Sequence, residues 1–95
     1  MRNMSSTRKA LAVMAALKKK GFEEEEGKHH FFYYHYLDGT ISPIKTMISH
    51  SAKDIDKSII GKMSRQCNLS KDDFLRLVDC PLSREDYECK LKEVS

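Results

Sequence analysis

At 95 residues, with 40% hydrophobic and 33% charged positions, the chain has the make-up of one ordinary globular domain, not of a disordered segment or a multidomain assembly. Its formal net charge of +3 is mild, so an anionic partner is allowed but not demanded. Three cysteines (Cys67, Cys80, Cys89) are odd in number and lack CxxC spacing, which argues for a reducing compartment and against a disulfide framework or zinc ribbon. The longest apolar run, Ala10 to Leu17, is too short to span a bilayer, and no small-residue cleavage site follows it. The expectation is a cytoplasmic protein with no membrane partner.

In chain order, a first helix is predicted to start near Ser5, Ser6 or Thr7, whose oxygens can accept from orphan backbone N–H groups. Ala10, Val13, Met14 and Leu17 give its apolar stripe, and Lys18, Lys19 and Lys20 complement the dipole of its last turn. Gly21 fits the left-handed position that ends such a helix. Phe22 opens a strand that runs into Glu23–Glu26; polyglutamate has no strand preference, so pairing must hold it. After the Glu26-Gly27 turn, His29 to Leu37 reads as an aromatic strand. Asp38-Gly39 predicts a two-residue type I′ hairpin turn, and Thr40 to Ile48 the returning strand, with Ile41, Ile44, Met47 and Ile48 as apolar contacts and Pro43 at an edge or bulge.

A second helix is predicted over Lys53 to Cys67, its buried face marked by Ile55, Ile59, Met63 and Cys67. Asn68 suits a left-handed terminus. Ser70 with Asp73, and Ser83 with Asp86, resemble capping boxes that open helices at about Lys71–Val78 and Arg84–Glu93. The order predicts an α+β fold of the α-β-β-β-α kind seen in double-stranded-RNA-binding domains. It has a three-stranded antiparallel sheet with helices on one face over residues 1–79, and a C-terminal helical extension, residues 80–95, on the same domain.

Chemistry concentrates in Gly27–Gly39, which holds three of the four histidines: His29, His30 and His35. Imidazole accepts and donates protons near neutral pH. RNA carries its own nucleophile, the 2′-hydroxyl, so an imidazole beside a lysine can assist its cleavage; Lys28-His29 is such a pair. His29 and His35 lie about 20 Å apart along an extended strand, and His29 and His30 face opposite ways, so no metal site is expected within the strand. One or two of Phe31, Phe32, Tyr33, Tyr34 and Tyr36 could stack on bases; most pack the sheet. The acidic run Glu23–Glu26 reads as a solvated face or a docking surface. Phosphate-loop, GxSxG and dinucleotide motifs are absent.

Taken together, Leu17-Lys18-Lys19-Lys20-Gly21-Phe22, Gly27-Lys28-His29-His30, Asp38-Gly39, Ile48-Ser49-His50 and Asp54 to Leu69 resemble the HicA (YcfA-like) toxins of bacterial and archaeal toxin–antitoxin pairs, across roughly residues 8–75. The resemblance implies a double-stranded-RNA-binding-like fold and an mRNA endoribonuclease that needs no metal or other cofactor. His29, in the family's Gly-x-His motif, would be catalytic. A HicB-like antitoxin would be the protein partner. Lys28 stands where the family usually has serine, and Ile48-Ser49-His50 lacks the proline of its Pro-x-His. In this reading Lys28, Lys45, Lys53 and Lys57 contact RNA phosphates, and His50 orients substrate or caps the sheet. The competing expectation is a non-catalytic RNA-binding or antitoxin-binding module on the same fold, and exposure of His29 discriminates the two.

Overall fold

A computed structural model describes residues 7–79 and 81–94. Two short strands, β1 (Arg8–Lys9) and β5 (Asp54–Ile55), pair antiparallel, with Arg8 opposite Ile55. This pairing shifts the first two helices. Residues 8 and 9 are held extended, and the Arg8 guanidinium donates to both Asp79 oxygens at 2.9 and 2.8 Å. Helix α1 therefore runs Ala10–Lys19, capped by the extended Lys9 without a side-chain bond, rather than from the serines and threonine upstream. Ser5 and Ser6 lie outside the described residues. Likewise α2 covers Lys57–Gln66 and not Lys53–Cys67, because Asp54–Ile55 belong to β5 and the Asp56 carboxylate accepts from the Ile59 N–H at 3.0 Å.

The main sheet has order β2 (Phe22–Glu26), β3 (His30–His35), β4 (Ile41–Ile48), all antiparallel. Register pairs Phe22 with Tyr34, Glu26 with His30, and His30 with Ile48. The strand pleat sends Phe32 and Tyr34, with Ser42, Ile44, Thr46 and Ile48, to the core. Ile41, predicted as an apolar contact, is instead 70% exposed, because its odd register puts it on the other face. The β3–β4 turn is longer than a two-residue type I′ turn. Leu37, Asp38 and Gly39 form the loop, Gly39 N–H donates to Tyr36 O at 2.9 Å, and Tyr36 N–H to Thr40 O at 2.8 Å. Only Gly39 there has positive φ (+93°), so Asp38 is free to accept from the Thr40 N–H and hydroxyl at 2.9 and 2.7 Å.

Punctuation in the helical half follows the sequence. Asn68 has φ 61° after α2. Ser70 Oγ accepts from Asp73 N–H at 3.1 Å to open α3 (Lys71–Asp79), and Ser83 Oγ from Asp86 N–H at 3.1 Å to open α4 (Arg84–Val94). Gly21, at φ +100°, lets the chain leave α1 where a Cβ would collide with the Arg84 side chain. Lys20 is buried, its ammonium donating to the carbonyls of Leu77 and Leu82, which ties α1 to the α3–α4 junction.

The core gathers apolar side chains from every helix and the inner face of the sheet. At its centre Tyr87 of α4 meets Tyr34 (ring centroids 5.0 Å apart, 76°) and stacks on Phe22 (5.9 Å, 20°). Its hydroxyl donates to Cys67 O at 2.9 Å. Glu88 is also buried and accepts from the Tyr34 hydroxyl at 2.7 Å and the Leu37 N–H at 2.8 Å. Among the described residues no helix is long and apolar enough to cross a membrane. Cys67 is buried and Cys89 exposed; Cys80 lies outside the described residues.

These buried hydroxyls and the thiol set an alkaline limit. Burial pushes Tyr34 and Cys67 up to about 12 each, and raises Tyr87 as well. A group whose folded pKa lies above its unfolded value adds stability that is complete below the unfolded value, about 10 for tyrosine and 8.5 for cysteine, and that disappears as pH rises through the folded one. Unfolding is therefore expected between about pH 9 and 12, with tyrosinate absorbance of the buried rings rising together with loss of circular dichroism. Full tyrosine ionisation with the helices intact would contradict this packing.

Candidate functional site

The turn between β2 and β3, Gly27-Lys28-His29, is the first part of the site. His29 lies in this turn and not in the strand, which starts at His30. Its imidazole is half-exposed and meets the ring of Phe31 edge-on at 5.9 Å. It has no hydrogen-bond partner among the described residues. It lines a groove of about 360 Å³ between the end of β4 and α2, with Met47, Ser49, Ile59, Lys62 and Gln66. The imidazole is thus neither covered by aromatics nor locked to backbone.

The lysines separate. Lys28 is exposed in the turn. Lys45 sits on the open face of the sheet, its ammonium 5.1 Å from the Phe31 ring centroid and 5.8 Å from that of Tyr33. His29, Phe31, Lys45 and Tyr33 therefore form a continuous strip of rings around one cation. Lys53 lines a second groove, and Lys57 is exposed at the start of α2. Of the five residues singled out by sequence, only His29 lines the larger groove. Its cation there is Lys62, which the sequence reading passed over; helical spacing from Ile59 and Met63 would have placed it at the rim.

The second groove, of about 300 Å³, is lined by Leu11, Met14, His30, Ser49, His50 and Lys53 among others. His30 Nδ1 lies 2.7 Å from Glu24 Oε2, and the other Glu24 oxygen is 2.7 Å from the Lys18 ammonium. Lys18, and with it His30, holds the Glu24 carboxyl below its ordinary range against the opposing effect of burial. The His30 and His50 rings are 4.2 Å apart, and His50 Nε2 donates to Gly27 O at 2.9 Å, tying the loop after β4 to the β2–β3 turn.

Alternation within one strand could not reveal this cluster, because hairpin register assembles it across strands. Register also splits the acidic run. Glu23 and Glu25 lie on the open face, where Glu25 accepts from the Tyr33 hydroxyl at 3.3 Å. The half-buried Glu24 and the exposed Glu26 lie on the opposite face beside His30, and these three present ligand-type atoms within 4.8 Å of one another. Carboxylate and imidazole suit a divalent cation, but the Lys18 ammonium already occupies one Glu24 oxygen.

Fold and site together define a small α+β domain whose three-stranded antiparallel sheet carries an accessible imidazole at one end and a carboxylate-backed imidazole beside it. Among known proteins the chain matches no family model, no curated protein and no solved structure.

Proposed function

We propose that the chain is a metal-independent endoribonuclease of the HicA-like, mRNA-cleaving kind, acting in the cytoplasm with His29 as its acid–base group. The observation that carries this reading is the His29 imidazole, half-exposed and without a hydrogen-bond partner among the described residues, on the wall of a groove that also holds Lys62. With the two short strands set aside, the order α1, β2, β3, β4, α2 supports the double-stranded-RNA-binding-like arrangement that the resemblance implies.

In this reading RNA supplies the 2′-hydroxyl, whose oxygen attacks the adjacent phosphorus as its proton leaves. The bond from phosphorus to the 5′-oxygen breaks, and that oxygen is protonated. His29 moves a proton in this exchange. Lys62 and the exposed Lys28, with Lys53 and Lys57 further along, balance phosphate charge. Phe31 and Tyr33, flanking Lys45, offer faces for unpaired bases. A HicB-like antitoxin is the protein partner that this reading implies.

The test is incubation of the purified chain with single-stranded RNA in EDTA. Cleavage that leaves a 2′,3′-cyclic phosphate and a 5′-hydroxyl is expected, and intact RNA would overturn the reading. The ring-and-cation strip favours a second reading, a module that binds RNA without cutting it; tight binding with no cleavage would establish that instead.

A further inference from the structure

We infer that His30 is a second proton-transferring residue of the same centre, the general base that works opposite His29. The inference rests on the endoribonuclease reading above. Glu24 and His30 form a carboxylate–imidazole dyad at 2.7 Å. A carboxylate accepts hydrogen bonds, so its partner Nδ1 carries the proton. The neutral ring then has its lone pair on Nε2, which has no partner among the described residues, while the ring lines the second groove. Such a ring is held in one tautomer and one orientation, and the carboxylate steadies the imidazolium that forms when it takes a proton.

The neighbours are arranged to the same end. His50 lies 4.2 Å from the His30 ring, but its Nε2–H is committed to Gly27 O, which leaves it a positioning role. Glu26 Oε2 is 4.0 Å from His30 Nδ1, Lys18 sits on the far oxygen of Glu24, and Lys53 lines the groove. The two grooves share Ser49 and Ala52 as walls, so His29 and His30 flank one loop. A strand of RNA laid across Ser49 meets one imidazole on each side. His30 Nε2 takes the proton of the 2′-hydroxyl, the 2′-oxygen bonds to phosphorus, the bond to the 5′-oxygen breaks, and His29 gives that oxygen its proton. Phosphorus ends in a 2′,3′-cyclic diester, and the two imidazoles have exchanged protonation states.

The experiment compares wild type, His30→Gln and Glu24→Gln on one single-stranded RNA in EDTA, with cleavage rate measured across pH and RNA affinity measured separately. The amide of His30→Gln cannot take the proton. This variant is expected to lower the rate by about 10²–10⁴-fold with affinity unchanged, and to abolish the acidic limb of a bell-shaped profile. Glu24→Gln is expected to lower kcat with KM unchanged, since the ring loses the carboxylate that holds its tautomer and orientation. A His30→Gln protein that cleaves at the wild-type rate overturns the inference and leaves the endoribonuclease reading standing; a wild type that does not cleave overturns both. If His30→Gln unfolds, a Glu24→Gln protein with the wild-type kcat overturns the inference by itself.

Discussion

Replacing His29 by alanine is expected to slow RNA cleavage by about 10²–10⁴-fold, or about 3–5 kcal/mol of transition-state stabilisation, without altering the fold. The imidazole makes no hydrogen bond among the described residues, and its ring contact is the edge of Phe31. The protein therefore loses little stability when the ring is removed, and a fall in rate reads directly on chemistry. RNA affinity should hold, because the cations Lys62 and Lys53 and the Phe31–Lys45–Tyr33 strip remain. Single-turnover cleavage in EDTA, alongside fluorescence anisotropy and thermal melting, separates these quantities. Equal cleavage by both proteins would end the assignment of His29.

The largest loss of stability is expected from Tyr87→Ala. Its side chain is fully buried against Phe22 and Tyr34, and truncating a core aromatic costs about 3–5 kcal/mol. That is a large share of the 5–15 kcal/mol or so that typically separates folded from unfolded chains. Tyr87→Phe keeps the ring and gives up only the bond to Cys67 O, worth about 1 kcal/mol. Urea unfolding of the three proteins should rank them wild type, Phe, Ala. A loss below about 1 kcal/mol for alanine would mean that α4 is not seated on the sheet as described.

The pieces legible in the sequence are those fixed by local chemistry. Gly21, Asn68, Ser70 and Ser83 act where a left-handed φ or a cap was read from residue type. Strands β3 and β4 follow from aromatic and β-branched content and a turn glycine, whereas the glutamate-rich β2 is held by its pairing with β3. What escaped depends on distant partners. Nothing near Arg8 or Asp54 announces that they pair, yet that small sheet moves the start of two helices. Lys18, Lys19 and Lys20 look alike in sequence, but one pairs with Glu24 and another is buried on two carbonyls. The same holds at the site. His29 stands out because a motif surrounds it, whereas His30 becomes notable only when register sets Glu24 beside it.

Strand β2 has a consequence for how the chain behaves in company. It is one rim of the main sheet, and four of its five residues are glutamates. An unpaired rim is ordinarily a template on which another molecule's strand can add, the first step towards aggregation. Two copies approaching along this rim would press one glutamate run against the other. On the opposite rim, Pro43 offers no N–H and Lys45 is exposed. The residues least suited to being a strand thus guard both rims of the sheet against the addition of a fourth.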